Sequence, residues 1–250
     1  MKFSNAYENP QFAWAYSQLQ FPGTYYLAYR DLPAVIHDHV RGKKALDFGC
    51  GARRSTRFLQ KLGFETVGVD ISENMISIAR DNDGKGQYFL IEDGNFNQFF
   101  PRAFDLILSA FTFDNIPTWT KKIKILTDLS ALINNFGILI NLVSTPEIYI
   151  NEWVSFSTQD FPGNQNAKTG DIVEIINTAI DDARPVKDIL WTDEAYHQVY
   201  AQAGLRVIKK HKPLADGTEQ YLWKNETMIA PWCIYVLKKL ETVQKGEKRS

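Results

Sequence analysis

The feature that most constrains this chain is a short apolar run that ends in glycines. Lys44–Phe48 (KALDF) leads straight into Gly49-Cys50-Gly51, and Ser55–Leu62 beyond it has helical spacing, with Phe58, Leu59 and Leu62 on one face. Glycine adopts backbone angles that other residues avoid and lets another molecule approach the main chain closely. The helix that follows leaves backbone N–H groups of its first turn unpaired. A strand, a glycine turn and a helix in this order form a place where a ligand can lie against backbone.

The surrounding pattern sets the fold class. Thr66–Asp70 (TVGVD) reads as a second strand, and Ser72 as the N-cap of a helix over Glu73–Arg80. Gln87–Ile91, Phe104–Ser109 and Gly137–Val143 read as further strands, with a helix over Thr120–Leu132 before the last. Strands alternating with helices predict an α/β fold with a doubly wound, mostly parallel sheet and right-handed crossovers. Upstream, Thr24–Val40 reads as one helix despite Pro33. Downstream, Ser144–Leu190 is long, polar and aromatic, without clear periodicity. A helix over Asp193–Ala203 and two late strands, Leu205–Lys210 and Trp232–Leu237, follow it. One domain is expected, with an N-terminal helical lid (1–42), a ligand-binding core (43–144) and a substrate-cap insertion (145–190). A helix and strand pair (191–240) and a charged tail (241–250) complete it.

Two acids give the turn its meaning. Asp70 ends the second strand roughly 20 residues past the turn, where a carboxylate can accept both ribose hydroxyls of a bound nucleoside. Asp93 follows the third strand in YFLIEDG, at the sheet edge where open α/β folds bind ligands, and can accept an adenine amino group.

Together these residues resemble the class I S-adenosylmethionine (SAM)-dependent methyltransferases. ALDFGCGARRST resembles their first motif, TVGVDISENMISIAR the second, YFLIEDG the third, FDLILSAFTFDNIP the fourth and FGILINLV the fifth strand. The resemblance covers Lys44–Ser144. It implies a Rossmann-like sheet of seven strands whose last, here Trp232–Leu237, is antiparallel. It also implies SAM as cofactor, held by Asp47, Gly49, Cys50 and Gly51 at the turn. Asp70, Ile71 and Met75 would lie along the ribose and adenine, with Asp93 and Gly94 beyond, and Ser109 and Phe111 after the fourth strand. The family usually carries three alternating glycines; the third position here is Arg53, so either its side chain points away from the ligand or the turn shifts.

A dinucleotide-binding NAD(P)-dependent dehydrogenase would need a glycine where Arg54 stands, and Asp47 would repel its pyrophosphate. SAM carries an amine and a sulfonium, both cationic, so an acid beside the turn favours it. A SAM-binding regulatory module without catalysis is the second alternative.

Charge and composition narrow the acceptor. The net charge of −1 lacks the positive field that phosphate backbones attract, and no nucleic-acid partner is expected. The Asn/Asp-Pro-Pro-aromatic motif of family members that methylate nucleic-acid amino groups is absent from Ser109–Asn115. The expected reaction is therefore methyl transfer to an O, N or C atom of a small molecule. The two cysteines, Cys50 and Cys233, and the four histidines form no metal-ligand spacing, and no metal is expected. No run approaches the ~20 apolar residues of a membrane span. MKFSNAYENPQ lacks the apolar core of a signal peptide, so a cytoplasmic protein is expected. A second copy of the chain is a candidate partner.

Asp114 is the candidate to orient or deprotonate the acceptor, and His197, in AYHQVY, is a second candidate base. Asn115, Tyr149 and Trp153 are expected beside the acceptor. Tyr25, Tyr26 and Arg30 are placed to reach the cofactor carboxylate from the lid. Glu219 and Glu226 are candidates for holding a cationic substrate.

Overall fold

The computed structural model describes residues 9–17, 22–92, 95–182 and 184–240. Asp93, Gly94 and the tail 241–250 lie outside the described residues. The chain opens with α1 (Pro10–Ser17), α2 (Thr24–Arg30) and α3 (Leu32–His39). Strands and helices then alternate as β1 (Lys44–Phe48), α4 (Arg54–Lys61), β2 (Glu65–Asp70), α5 (Glu73–Asn82) and β3 (Gln87–Leu90). β4 (Phe104–Ala110), α6 (Trp119–Leu132) and β5 (Ile133–Ser144) continue the series. After them come β6 (Phe156–Ser157), β7 (Ile172–Asn177), β8 (Val186–Ile189), α7 (Asp193–Gln202), β9 (Leu205–His211) and β10 (Trp232–Lys239).

Seven strands form one sheet in the order β3-β2-β1-β4-β5-β10-β9. Neighbours from β3 to β5 run parallel, and β10 is antiparallel to both β5 and β9. This is the expected doubly wound sheet with its last strand reversed. Successive side chains alternate between faces. Leu106 and Leu108 of β4 join the layer that holds Leu27 of α2, Val35 of α3 and Leu59 of α4. Ile107, between them, joins the opposite layer with Leu126 of α6 and Tyr200 of α7.

Two expectations are corrected. The single helix over Thr24–Val40 is two, broken at Asp31, which caps both. Pro33 explains the break: it has no N–H to donate to the carbonyl of Tyr29, and its ring would collide there, whereas the first turn of a new helix accepts it. The stretch without clear periodicity contains a second, antiparallel sheet in the order β6-β7-β8. Its strands are short and carry polar residues on their inner face, so alternation does not show.

The start of α2 and the loop before β10 are tied to this insertion. Thr24 donates its N–H to Ser155 Oγ at 3.0 Å and its hydroxyl to Glu226 Oε1 at 2.7 Å. Trp232 donates its indole N–H to the Thr24 carbonyl at 2.8 Å. Glu226, fully buried, also accepts N–H bonds from Val154, Lys224 and Asn225 at 2.8, 2.9 and 3.1 Å.

Candidate active site

The carboxyl end of β1 turns sharply. Gly49 has φ +73° and Gly51 φ +51°, and the N–H groups of Gly49 and Cys50 both donate to the Val69 carbonyl of β2, at 2.8 and 3.0 Å. Gly51 donates its N–H to Asp70 Oδ2 at 2.8 Å, and Ser72 donates its N–H to Asp70 Oδ1 at 2.9 Å. The acid at the end of β2 thus holds the turn against the start of the next helix. Ser72 caps α5 as expected, accepting the Met75 N–H at 3.3 Å. Arg53 sits at φ 76°, ψ 8°, the left-handed conformation that glycine takes without strain. The turn therefore keeps a glycine-like backbone at its third position at a cost of about 1 kcal/mol.

The turn suits a close-lying cation. A Cβ on Gly49 would meet Thr112 Oγ1 at 2.0 Å, while one on Gly51 would meet nothing within 4 Å, so the backbone there faces open space. Asp47 is fully buried, and its Oδ2 accepts the hydroxyls of Ser55 and Thr56 at 2.7 and 2.6 Å. Its Oδ1 has no hydrogen-bond partner among the described residues. Burial pushes this carboxyl up to about 6. A buried acid with an orphan oxygen beside an open turn fits the amine of SAM and disfavours a pyrophosphate. Cys50, Met75 and Ser109 are buried, and burial pushes the Cys50 thiol up. Ile71 is 57% exposed.

Past the turn, at the same sheet edge, lies a small, partly open pocket. It is built at the carboxyl ends of β4 and β5 and the start of β10. Phe111, Asp114 and Asn115 follow β4, Ser144 ends β5, and Trp232 opens β10. Tyr25 of α2 and Tyr149, Phe156, Ile175, Val186 and Asp188 of the insertion close it. Phe111 is held at φ 64°, which swings the chain out of β4 into a short 3-10 turn, Thr112–Asn115. Thr112 Oγ1 donates to the Phe48 carbonyl at 2.9 Å, which fastens this turn to the end of β1. Open α/β sheets bind ligands at such a carboxyl edge, where strand order reverses, here between β1 and β4.

The pocket floor is charged and buried. Asp114 accepts the Ser144 hydroxyl at 2.8 Å and the Ser144 N–H at 3.1 Å, with the Tyr196 hydroxyl at 3.5 Å. Asp188 accepts the Tyr149 hydroxyl at 3.1 Å. Lys122, fully buried on α6, donates to the Phe113 carbonyl and lies 4.6 Å from the Trp191 ring centre. Burial drives both carboxyls up and the Lys122 ammonium down, and each acid draws the lysine back toward its charged form.

The sequence-based site residues divide into those the fold brings together and those it does not. Phe111, Asp114, Asn115 and Tyr149 line one pocket. Trp153 does not: it is fully buried and donates its indole N–H to the Ile148 carbonyl, so it supports the insertion from inside. His197 lies on the outer side of α7, 47% exposed and 3.8 Å from Asp193. Arg30 is engaged by Asp31 at 2.7 Å, Glu219 at 2.6 Å and the Leu214 carbonyl, and these bonds turn it toward the late loop. Tyr26 packs its ring 5.7 Å from Tyr221 of the same loop. Glu219 and Glu226 are consumed by Arg30 and by the Thr24 junction. Asp188 and Lys122 were missed: one sits in a short strand of the insertion, the other among three lysines of α6, and no motif marks either.

The segment 46–139 matches the model of the methyltransferase domain family. The chain is 27% identical over 137 residues to an uncharacterized methyltransferase of Alkaliphilus oremlandii, covering 54% of this chain and 61% of that protein. It is 27% identical over 141 residues to the demethylmenaquinone methyltransferase of Thermotoga maritima, covering 51% and 60%. The chain thus spans about three-fifths of the length of these relatives. Its fold is similar to that of an S-adenosylmethionine-dependent methyltransferase from Clostridium acetobutylicum, with TM-score 0.62, 14% identity and coverage of 95% and 100%. It is also similar to the CcbJ methyltransferase from Streptomyces caelestis, with TM-score 0.65, 15% identity and coverage of 94% and 98%. Residues 46–139 thus carry a methyltransferase domain, and the sheet around the glycine turn has the fold of the SAM-dependent methyltransferases to which the chain is similar.

Proposed function

We propose that this protein transfers the methyl group of SAM to a small molecule held in the pocket between β4, β5 and the insertion. The observation that carries this reading is the Thr112 bridge. Its hydroxyl on the Phe48 carbonyl sets the turn and the pocket side by side along one sheet edge, on adjacent strands. Neighbouring strands are about 4.8 Å apart, so two ligands at these ends touch without further motion of the sheet.

Bound SAM supplies a methyl group on a sulfonium, already activated for in-line displacement. The chain aligns the acceptor and keeps water out. Gly49 and Gly51 offer backbone to the cofactor, Asp47 faces its amine, and Asp70 retains lone pairs for ribose hydroxyls. The same assignment extends to Ile71, Met75, Asp93, Gly94, Ser109 and Phe111 along the cofactor. Asp114 and Asn115 orient the acceptor, and residues 145–190 cover it. The small, aromatic, half-enclosed pocket and the net charge of −1 favour a metabolite over a polymer.

Calorimetric titration with SAM and with its demethylated product tests the cofactor half, with micromolar binding expected. Transfer of a labelled methyl group into a metabolite extract tests the acceptor half. Binding without any transfer would reduce the protein to a SAM-responsive module.

A further inference from the structure

The pocket holds an unbalanced charge. Asp114 and Asp188 both line it, and both draw the Lys122 ammonium of α6 toward its charged form. With all three ionised, two carboxylates stand against one ammonium, and the Arg54 guanidinium lies over the wall ring of Tyr25, 5.4 Å from its centre. Lys122 is already committed to the Phe113 carbonyl and the Trp191 ring, and Tyr149, Tyr196 and Ser144 contribute neutral hydroxyls. A buried charge without a partner is costly, and either a proton or an incoming cation removes that cost.

The walls suit a cation. Tyr25 and Trp232 stack with ring centres 5.7 Å apart, Phe111 lies 4.7 Å from Trp232, and Phe156 stands edge-on to it. Aromatic faces attract ammonium groups, more strongly where water is excluded.

Resting on the proposed methyl transfer, we infer that the acceptor is an amine that enters as its ammonium, and that Asp188 takes its proton. The two acids are not equivalent. Asp114 is held by the N–H and hydroxyl of Ser144, whereas Asp188 is met by the Tyr149 hydroxyl on one oxygen. Asp188 therefore has acceptor capacity to offer a ligand. The step balances simply. One ammonium N–H proton passes to an Asp188 carboxylate oxygen, and its bonding pair stays on nitrogen as the lone pair that attacks the methyl carbon. The N–C bond forms as the methyl–sulfur bond breaks, and that pair leaves with the sulfur of the demethylated cofactor. The nitrogen is positive again once methylated, and the carboxyl releases its proton to solvent after product leaves. Low polarity helps the transfer, because an ion pair becomes two neutral groups.

The test uses the whole chain and a panel of aryl-alkyl primary and secondary amines, each paired with its alcohol and carboxylate isosteres. Demethylated cofactor released is the readout. Amines are expected to be methylated and their isosteres not. Asp188→Asn is expected to lower kcat for the best amine roughly 100-fold, with the Kd for the demethylated cofactor unchanged as proof of an intact fold. Transfer to alcohols or carboxylates with amines inert overturns the inference, as does full amine turnover by Asp188→Asn. Cofactor binding with no amine accepted also counts against it. Failure to bind the cofactor at all counts instead against the methyl-transfer reading.

Discussion

Replacing Asp47 with asparagine is expected to make the protein more stable and a poorer binder of SAM. Its carboxyl is fully buried, with Oδ2 accepting two hydroxyls and Oδ1 unpaired among the described residues. Burial raises it from 3.8 in the unfolded chain to about 6 in the folded one. Between these values the folded state holds a proton that the unfolded state has released, so stability falls as pH rises through the window. A shift of about 2 units corresponds to about 3 kcal/mol, lost in full above pH 7. Asparagine keeps an oxygen for Ser55 and Thr56 and carries no charge. Its amide N–H group takes the place of the unpaired oxygen and gives back about 1 kcal/mol or more. The net gain expected at pH 7.5 is about 1–2 kcal/mol, or about 2–8 °C in Tm for a chain of this size. Urea unfolding followed by tryptophan fluorescence at pH 7.5 and pH 4.5 measures it, with the gain gone at the lower pH. In parallel, SAM affinity at pH 7.5 is expected to fall about tenfold, or about 1.4 kcal/mol, because the cofactor amine loses its counter-charge. A variant less stable than the parent at pH 7.5, or one offset equally at both pH values, would refute the reasoning.

Three further outcomes are expected. Gly49→Ala places a Cβ 2.0 Å from Thr112 Oγ1 at a positive φ, so binding of the demethylated cofactor should vanish while far-UV circular dichroism stays unchanged. Arg53→Gly relieves a left-handed residue at φ 76° and should raise the urea midpoint by the equivalent of about 1 kcal/mol. Glu226→Gln turns an amide nitrogen toward N–H or hydroxyl donors at whichever end it lies, and should cost about 2–4 kcal/mol in thermal unfolding. An unchanged melting curve would show that Glu226 does not hold α2, the insertion and the late loop together.

Legibility in sequence followed the range of the interactions. β1, β2 and β4 are apolar runs that end at glycines or acids within a few residues, and local pattern located them. Ser72 was readable as a cap because capping acts over three residues. Asp114 was readable as an acid after β4, but its grouping with Lys122 and Asp188 was not, because the three come together only once α6, the 3-10 turn and β8 are packed. β8 reads Val186-Lys187-Asp188-Ile189, and nothing in four residues distinguishes a buried aspartate on the inner face from a solvated one. Arg30 and Trp153 show the converse. Their residue types suit a binding site, and their actual partners, Glu219 and the Ile148 carbonyl, lie in contacts that spacing does not encode. Asp47 was readable as an acid beside a turn, while its second role, gripping two hydroxyls of α4, emerged only with the helix in place.

The junction at Thr24 also sets an order of assembly. Thr24 waits for Glu226 and for Trp232, 208 residues further along the chain. β10, the last strand made, lies between β5 and β9 rather than at an edge. During synthesis the strands from β1 to β5 can pair as they emerge, whereas β9 has no neighbour until β10 arrives to wedge between it and β5. The strands from β1 to β5 can thus pair early, and the contacts of Thr24 with Glu226 and Trp232 form only once the end of the chain is made.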